Sequence, residues 1–325
     1  MIKINRGHQP PGLKVYTSKS VKALDGVTKV TKAEQELERA IAFFMDPNRF
    51  SNEKKLTRDT FTFAVYKDPE IQEKLAAVFG TKCAYCETDF GPVTPKDIEH
   101  FRPKSEITAG RTTLIPGYFW LAGEWDNLLV SCPDCNRGRK HEVPGQPEKT
   151  TLGKETQFPL SDEQHRARNR APLVNEETVR LLLNPCGNDE PEKHLMFDDQ
   201  GLIHPRPDAN NVPSGAGTMS IAVYALRRKP LVENRLKELN RFRLLFENLN
   251  HLVKNHNDLR SLGASQAMLD NNGAQIARVK SAMVEMLGPK GQYLAMLRDW
   301  IRRAKANGEC ALLEQFGIDL TTLIP

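Results

Sequence analysis

Two Cys-x-x-Cys pairs, Cys83/Cys86 and Cys132/Cys135, bracket the dipeptide Glu99-His100, and the second pair runs directly into Asn136. The segments read Lys82-Cys83-Ala84-Tyr85-Cys86-Glu87, Asp97-Ile98-Glu99-His100-Phe101-Arg102-Pro103, Trp125-Asp126-Asn127-Leu128 and Ser131-Cys132-Pro133-Asp134-Cys135-Asn136-Arg137-Gly138-Arg139-Lys140. Four thiolates can close a tetrahedral Zn2+ site with no open position, which is a structural staple. A carboxylate, an imidazole and an amide oxygen are instead the base and ligands expected around a hard, hydrated cation such as Mg2+ or Mn2+. One stretch therefore offers two kinds of metal chemistry.

Hydrolysis of a phosphodiester needs an activated water, an in-line geometry and neutralisation of the leaving oxygen. His100 is the candidate general base, because a neutral imidazole near pH 7 can take a proton from water. Glu99 can give a cation an anionic oxygen. Adjacent residues of a strand point to opposite faces, so Glu99 and His100 share a site only at an irregular strand end or bulge. Asn136 is expected in the first turns of a helix, where its amide oxygen completes the metal pair with Glu99. Lys140, four positions on, would share its face and meet a phosphate. Arg137 and Arg102 are further candidate substrate contacts, and Asn127 is placed to hold the loop or the His100 ring. Each residue has a plainer alternative: an ion pair for Glu99 and His100, a helix cap for Asn136, a solvated face for Lys140, Arg102 and Lys104. His141 is an alternative ligand five positions from Asn136. Asn184, Asp189 and His194 fit either a second layer over the site or turn chemistry around Pro185 and Pro191.

The 325 residues, 39% hydrophobic and 27% charged, suit a soluble globular protein of one large or two ordinary domains. No apolar run approaches the ~20 residues that cross a bilayer. Met1 to Leu13 is polar with no apolar signal core, so a cytoplasmic location is expected. Cys186 and Cys310 stand alone and read as inert thiols. The net charge of +5 is mild, but Arg137, Arg139, Lys140 and His141 cluster behind Asn136, as a polyanionic substrate would require. His165, Arg166, Arg168 and Arg170 form a second basic group or a solvated face. There is no internal repeat, Walker loop or dinucleotide fingerprint, so the chain is not its own ATPase.

The elements that must position these residues make a mainly helical α+β chain. Residues 1–30 read as an extended arm. Thr31 and Glu34 form a capping box ahead of Leu37, Ala40, Ile41 and Phe44, and Asp46-Pro47 ends that helix. Asp68, Pro69 and Gly80 frame a second helix, with Ile71, Leu75 and Val78 or Phe79 on one face. Residues 81–207 hold the motif core, with a polar insertion at 144–175 and a short helix after Ser161. Residues 197–203 read as strand, tight turn and strand. Residues 208–217 read as a linker, and 218–325 as a helical region. Ile221, Tyr224 and Ala225 lead it, then Leu231, Leu236, Leu239, Phe242, Leu245 and Phe246. Further helices follow over about Gln275–Met286 and after Pro289. The domains expected are thus 1–80, 81–207 and 218–325.

These residues resemble an HNH endonuclease of the zinc-stapled ββα-metal type. That resemblance implies a ββα-metal core, Glu99 where Asp is usual, Asn127 as the central Asn, and Asn136 where many members have His. It implies cutting by His100, Glu99, Asn127 and Asn136, with Mg2+ or Mn2+ on Glu99 and Asn136. Lys82–Glu87, Glu99-His100-Phe101-Arg102-Pro103-Lys104-Ser105, Phe158-Pro159-Leu160 and Leu183-Asn184-Pro185 with His194 are similar to the HNH subunit of Septu-type and retron-linked anti-phage systems. The similarity covers roughly residues 60–240. It implies a nucleic-acid substrate, DNA or RNA, and a separate ABC-like or SMC-like ATPase partner. The arm or the C-terminal helices would then dock that partner. A zinc-stapled nucleic-acid- or partner-binding adaptor without catalysis is the alternative.

Overall fold

The computed structural model describes residues 1–6, 20–48, 61–92 and 94–323. The expected arm is described only in part, because 7–19 lie outside those residues.

The expected helix starts and stops are found. Lys32–Phe44 (α1) begins at a capping box in which Glu34 N donates to Thr31 and the Glu34 carboxylate accepts from Thr31 N. Pro69–Phe79 (α2) begins at Asp68, whose side chain accepts from Glu70 N, and stops at Gly80 with φ +58°. A residue with a Cβ would strain there. Ahead of α1, Val21–Lys22 (β1) and Lys29–Val30 (β2) form a small hairpin where an irregular arm was expected. At the other end of the arm, Ile4 N donates to Pro185 O at 2.7 Å. The Arg6 guanidinium donates to Trp125 O and Leu128 O.

All sheets among the described residues are two-stranded. Asp97–His100 (β3) pairs antiparallel with Leu128–Ser131 (β6), setting Glu99 opposite Leu129 and His100 opposite Leu128. Between them lie the Ile107–Ala109 (β4) and Thr112–Leu114 (β5) hairpin. After β6 comes Pro133–Asn136 (α3), a single turn. Arg139–His141 (β7) and Thr150–Leu152 (β8) then pair as a hairpin. The expected helix through Lys140 is therefore replaced by a strand.

Val174–Val179 (α4) follows a 3-10 turn at Glu163–His165. Pro191–His194 (α5) leads into the hairpin of Leu195–Phe197 (β9) and Ile203–Pro205 (β10), turned at Gly201 with φ +75°. That hairpin matches its expectation. The expected insertion at 144–175 is no surface loop: Lys154 and Phe158 are fully buried, and Leu160 and Ala167 nearly so.

Residues 208–217 are not a free linker either. Gly215–Val223 (α6) starts inside them, and Ser214 caps it while accepting from or donating to His194 Nδ1 at 2.8 Å. A Cβ on Gly217 would lie 2.2 Å from His194 O, so only glycine allows that approach. Lys229–Ser261 (α7) and Gln266–Leu287 (α8) form a long antiparallel pair, followed by Leu294–Ala306 (α9) and Ala311–Gln315 (α10). The α8 helix starts before the expected Gln275 because Asn271, Asn272 and Gly273 hide its pattern. Asn272 is nonetheless buried and bonded to His256 at 3.0 Å.

The fold is thus α+β with a four-cysteine cluster. One apolar core runs from Met1 and Ile71 through Leu129 and Phe158 to Phe242, Ile301 and Leu320. It joins the segments that the sequence separates at 81, 207 and 218.

Candidate active site and its cysteine staple

The four cysteines meet as their spacing requires. All are buried and unbonded to one another, and their sulfurs lie within 4.8 Å. Sulfurs about 2.3 Å from a central zinc ion lie about 3.8 Å apart along a tetrahedron's edges. Cys86 Sγ and Cys132 Sγ are 3.8 Å apart. The donor set and its size therefore fit Zn2+. Burial pushes the Cys83 and Cys135 thiols up, so a bound cation is what would hold them as thiolates.

A residue that the sequence did not flag closes this cluster. Arg228, between α6 and α7, is buried, and its guanidinium reaches Cys135 Sγ at 3.4 Å, Cys86 Sγ at 3.4 Å and Cys132 Sγ at 3.7 Å. A zinc tetrathiolate carries two negative charges, and Arg228 offsets one of them inside the core. The only sequence sign was its place in Leu226-Arg227-Arg228-Lys229-Pro230, just before a proline-started helix.

The β3–β6 pair carries the remaining candidates. His100 is the last residue of β3 and is buried. Its Nε2 lies 3.0 Å from Ala122 O, a group that only accepts, so Nε2 carries the proton and Nδ1 keeps its lone pair. Lys104 Nζ lies 3.3 Å from Nδ1, and the Tyr66 ring packs edge-on against the imidazole. Burial first, then the Lys104 charge, hold His100 well below the ordinary histidine range. It is neutral at pH 7.

Asn127 holds the loop after β3, not the ring. Its Oδ1 accepts from Arg102 N at 2.7 Å, and its Nδ2 donates to Arg102 O at 3.0 Å and Leu121 O at 3.1 Å. One side chain thereby clamps both backbone groups of Arg102, two residues past His100.

The β3 strand has no bulge: its pairing stays in register through His100. Glu99 and His100 therefore start on opposite faces, but His100 stands at the strand's end, where the Lys104 charge acts on both side chains, and Asp97 shares the face of Glu99. Glu99 is buried, and Lys154 Nζ, fully buried, lies 2.6 Å from its Oε1 and donates to His100 O at 3.0 Å. Burial raises the Glu99 carboxyl and Lys154 opposes that rise. Asn136 donates through Nδ2 to Asp97 Oδ2 at 3.0 Å. Arg137, largely exposed, grips both oxygens of Asp97, at 2.9 Å through Nε and 2.6 Å through Nη2. Asp97 and Lys154 are the site residues that sequence reasoning passed over. Asp97 was legible as the i−2 neighbour of Glu99; Lys154 was not.

Two candidates stand elsewhere. Arg102 is buried, its Nε 2.7 Å from Glu176 Oε1 and its Nη2 bonded to Glu177, so it anchors α4 and cannot meet substrate. Lys140 is exposed on β7, outside the α3 turn that was to aim it. His141 is buried on the same strand. In the second basic group, Arg166 pairs with Glu163 and donates to Tyr118 Oη and Phe158 O. Asn184 and Asp189 make local turn bonds and a pair with Arg180.

No family model matches the chain. It is 35% identical over 242 residues to the Septu protein PtuB of Bacillus mycoides (strain KBAB4), a match covering 73% of this chain and 66% of that protein. That similarity makes this a PtuB-like chain. The cysteine staple described above is thus that of a PtuB-like chain. A second match, 28% identical over 174 residues, is to the Septu protein PtuA of the same strain, covering 53% of this chain and 21% of that relative. The PtuB-like chain spans just under two thirds of the first relative's length and about a fifth of the second's. Among the described residues no helix is long and apolar enough to cross a membrane.

Proposed function

We propose that this chain is a metal-dependent HNH endonuclease acting in Septu-type anti-phage defence. On this reading β3, β6 and α3 are the ββα-metal core, stapled by zinc. The observation that carries it is the His100 tautomer. A buried imidazole whose Nε2 proton is spent on a backbone carbonyl keeps an unprotonated Nδ1, which Lys104 now meets at 3.3 Å and which the attacking water would take over for His100 to act as general base at neutral pH. Asn127 fixes the turn behind it, so the ring is set by the backbone and not by a mobile side chain.

In the proposed mechanism His100 Nδ1 takes a proton from the attacking water. Lys104, beside it, Arg137, at the surface, and Lys140, exposed on β7, are the cations proposed to meet phosphate oxygens. Glu99 and Asn136 would hold Mg2+ or Mn2+, which when bound supplies Lewis-acid neutralisation of the leaving oxygen. As donors, a carboxylate and an amide oxygen suit such a hard cation. The substrate is nucleic acid, DNA or RNA. A PtuA-like ATPase would be the partner that licenses cutting, with a retron complex as one setting. The cytoplasm would be its location.

The test is to incubate the zinc-loaded chain, alone and with a co-expressed PtuA-like partner, with plasmid DNA and total RNA in Mg2+ or Mn2+. His100→Ala should fold, keep its zinc and lose about 100- to 10,000-fold in cutting rate. Undiminished cutting by that variant would refute the assigned base. One observation favours the non-catalytic adaptor: Glu99 already holds the Lys154 ammonium. Nucleic-acid binding without turnover under every condition would establish that alternative.

A further inference from the structure

The carboxylates of the candidate metal site each already hold a cation from the protein. Arg137 grips Asp97 with two hydrogen bonds, and Lys154 sits on Glu99. Lys104 adds a third positive charge at His100 Nδ1. Beside Asn136 a third described carboxylate, Glu155, lies against Gly138, and its N–H donates to Asn136 O at 2.6 Å. Three carboxylates therefore face three cations, and Asn136 and His100 are neutral. Divalent-cation sites draw much of their affinity from the net negative charge of their ligands. This site has oxygen donors and no such excess.

The two protein cations differ in how they can respond. Lys154 is fully buried and anchored on both Glu99 and His100 O. It has no exit to solvent, so it stays. Arg137 is 59% exposed, and among the described residues its guanidinium is held by its grip on Asp97. A side chain so exposed can swing away at little cost.

We infer that Arg137 is a replaceable counter-cation of Asp97, and that this site takes its divalent cation together with a nucleic-acid phosphate and not before. The phosphate supplies the missing negative charge and attracts the Arg137 guanidinium away from Asp97. Asp97, on the same face as Glu99 and already bonded to Asn136, then becomes an oxygen donor to the cation. Metal and polyanion thus bind with positive coupling, and by linkage each raises the affinity of the other by the same factor. The inference rests on the metal-site assignment proposed above and adds Asp97 and Arg137 to it.

The test reads binding, not cutting. Free Mn2+ is followed by its electron paramagnetic resonance signal, using zinc-loaded chain so that the thiolate site is filled. His100→Ala chain keeps the oligonucleotide intact in the ternary arm. Mn2+ should bind to chain plus a duplex DNA or an RNA oligonucleotide at least about 10-fold more tightly than to chain alone, within the range usual for coupled sites. Arg137→Gln, a surface change, should tighten Mn2+ binding to the free chain by about 5- to 10-fold and shrink the coupling. Asp97→Asn should abolish the gain seen in Arg137→Gln. Equal Mn2+ affinity with and without oligonucleotide, or an Arg137→Gln chain that binds Mn2+ no better than wild type, would overturn the inference. So would absence of Mn2+ binding in every arm. If the coupling appears and the wild-type chain cuts nothing, the nuclease reading fails and this inference stands.

Discussion

At the scale of single residues, the decisive feature is a histidine kept neutral from two sides. Burial penalises the imidazolium of His100, and the Lys104 ammonium 3.3 Å from Nδ1 repels it; the Ala122 carbonyl only partly offsets them. Both causes lower its pKa, so the base form persists to lower pH than for a free imidazole, which titrates near 6.5. The expected consequence is a pH–rate profile whose acid limb lies below 6.5. Lys104→Met removes the larger of the two charges that lower it, Lys154 being the other, so the limb should move upward towards the ordinary histidine value. A profile already falling at pH 7, or a limb that ignores Lys104→Met, would remove His100 from the role of base. Lys104 itself is held down to about 8 by burial first and by neighbouring lysines. On the alkaline side it would therefore begin to lose its charge earlier than a solvated lysine.

At the scale of elements, caps and periodicity were readable because they are local. Thr31 with Glu34, Asp68 with Pro69 and Gly80, and Gly201 in its hairpin each satisfy backbone groups within a few residues of themselves. The Cys-x-x-Cys pairs were readable for a similar reason, since each half of a tetrahedral site is a short-range motif. The helix drawn through Lys140 failed because a distant segment takes its bonds. Cys135 O accepts from Lys154 N at 2.9 Å and Asn136 O from Glu155 N at 2.6 Å, so the carbonyls that would continue α3 are occupied. Nothing within the 133–141 string announces a segment that arrives from 153–155. Gly153 makes the crossing possible. With φ +132°, it lies so close that a Cβ would sit 2.1 Å from Arg137 O. Gly153→Ala should therefore cost about 2 kcal/mol or more, combining backbone strain with a clash against backbone that has no rotamer to escape into. Urea unfolding would measure it. A change under about 0.5 kcal/mol would mean that the crossing is looser than drawn. Lys154 reaches Glu99 from this same crossing, so the candidate site depends on a segment that reads in sequence as a polar insertion.

At the scale of the whole molecule, the cysteine staple belongs as much to the C-terminal helices as to the core that it closes. Arg228 contributes the hydrogen bonds to three sulfurs, and it is fixed by its own donation to Ala225 O at 3.0 Å at the turn between α6 and α7. Tyr224, a few residues earlier, stacks on Tyr85 inside the first cysteine loop with ring centroids 3.8 Å apart. From the far side, Lys82 donates to Pro289 O and Gly291 O, and the Glu87 carboxylate accepts from Ala295 N at the start of α9. The loop carrying Cys83 and Cys86 is thus gripped by the α6–α7 turn, the α8–α9 turn and the start of α9, all more than a hundred residues on. None of these contacts has a sequence signature, which is why the motif core and the C-terminal helices read as separate in sequence yet share one apolar core. Zinc affinity should then report on the helical half. Arg228→Met keeps most of the side-chain volume but leaves the tetrathiolate without its counter-charge, and changes of this kind around metal ligands typically cost about 10- to 100-fold in affinity. Competition with a chromophoric chelator would measure the loss, with Arg228→Lys as the control that restores charge without the forked donors. If Arg228→Met holds zinc as tightly as wild type, the guanidinium is only filling space. If it weakens zinc and the thermal transition of α7 and α8 falls with it, metal and helices are one cooperative unit. Any partner that docks on those helices would then act on a cysteine site to which the proposed catalytic strand is already tied.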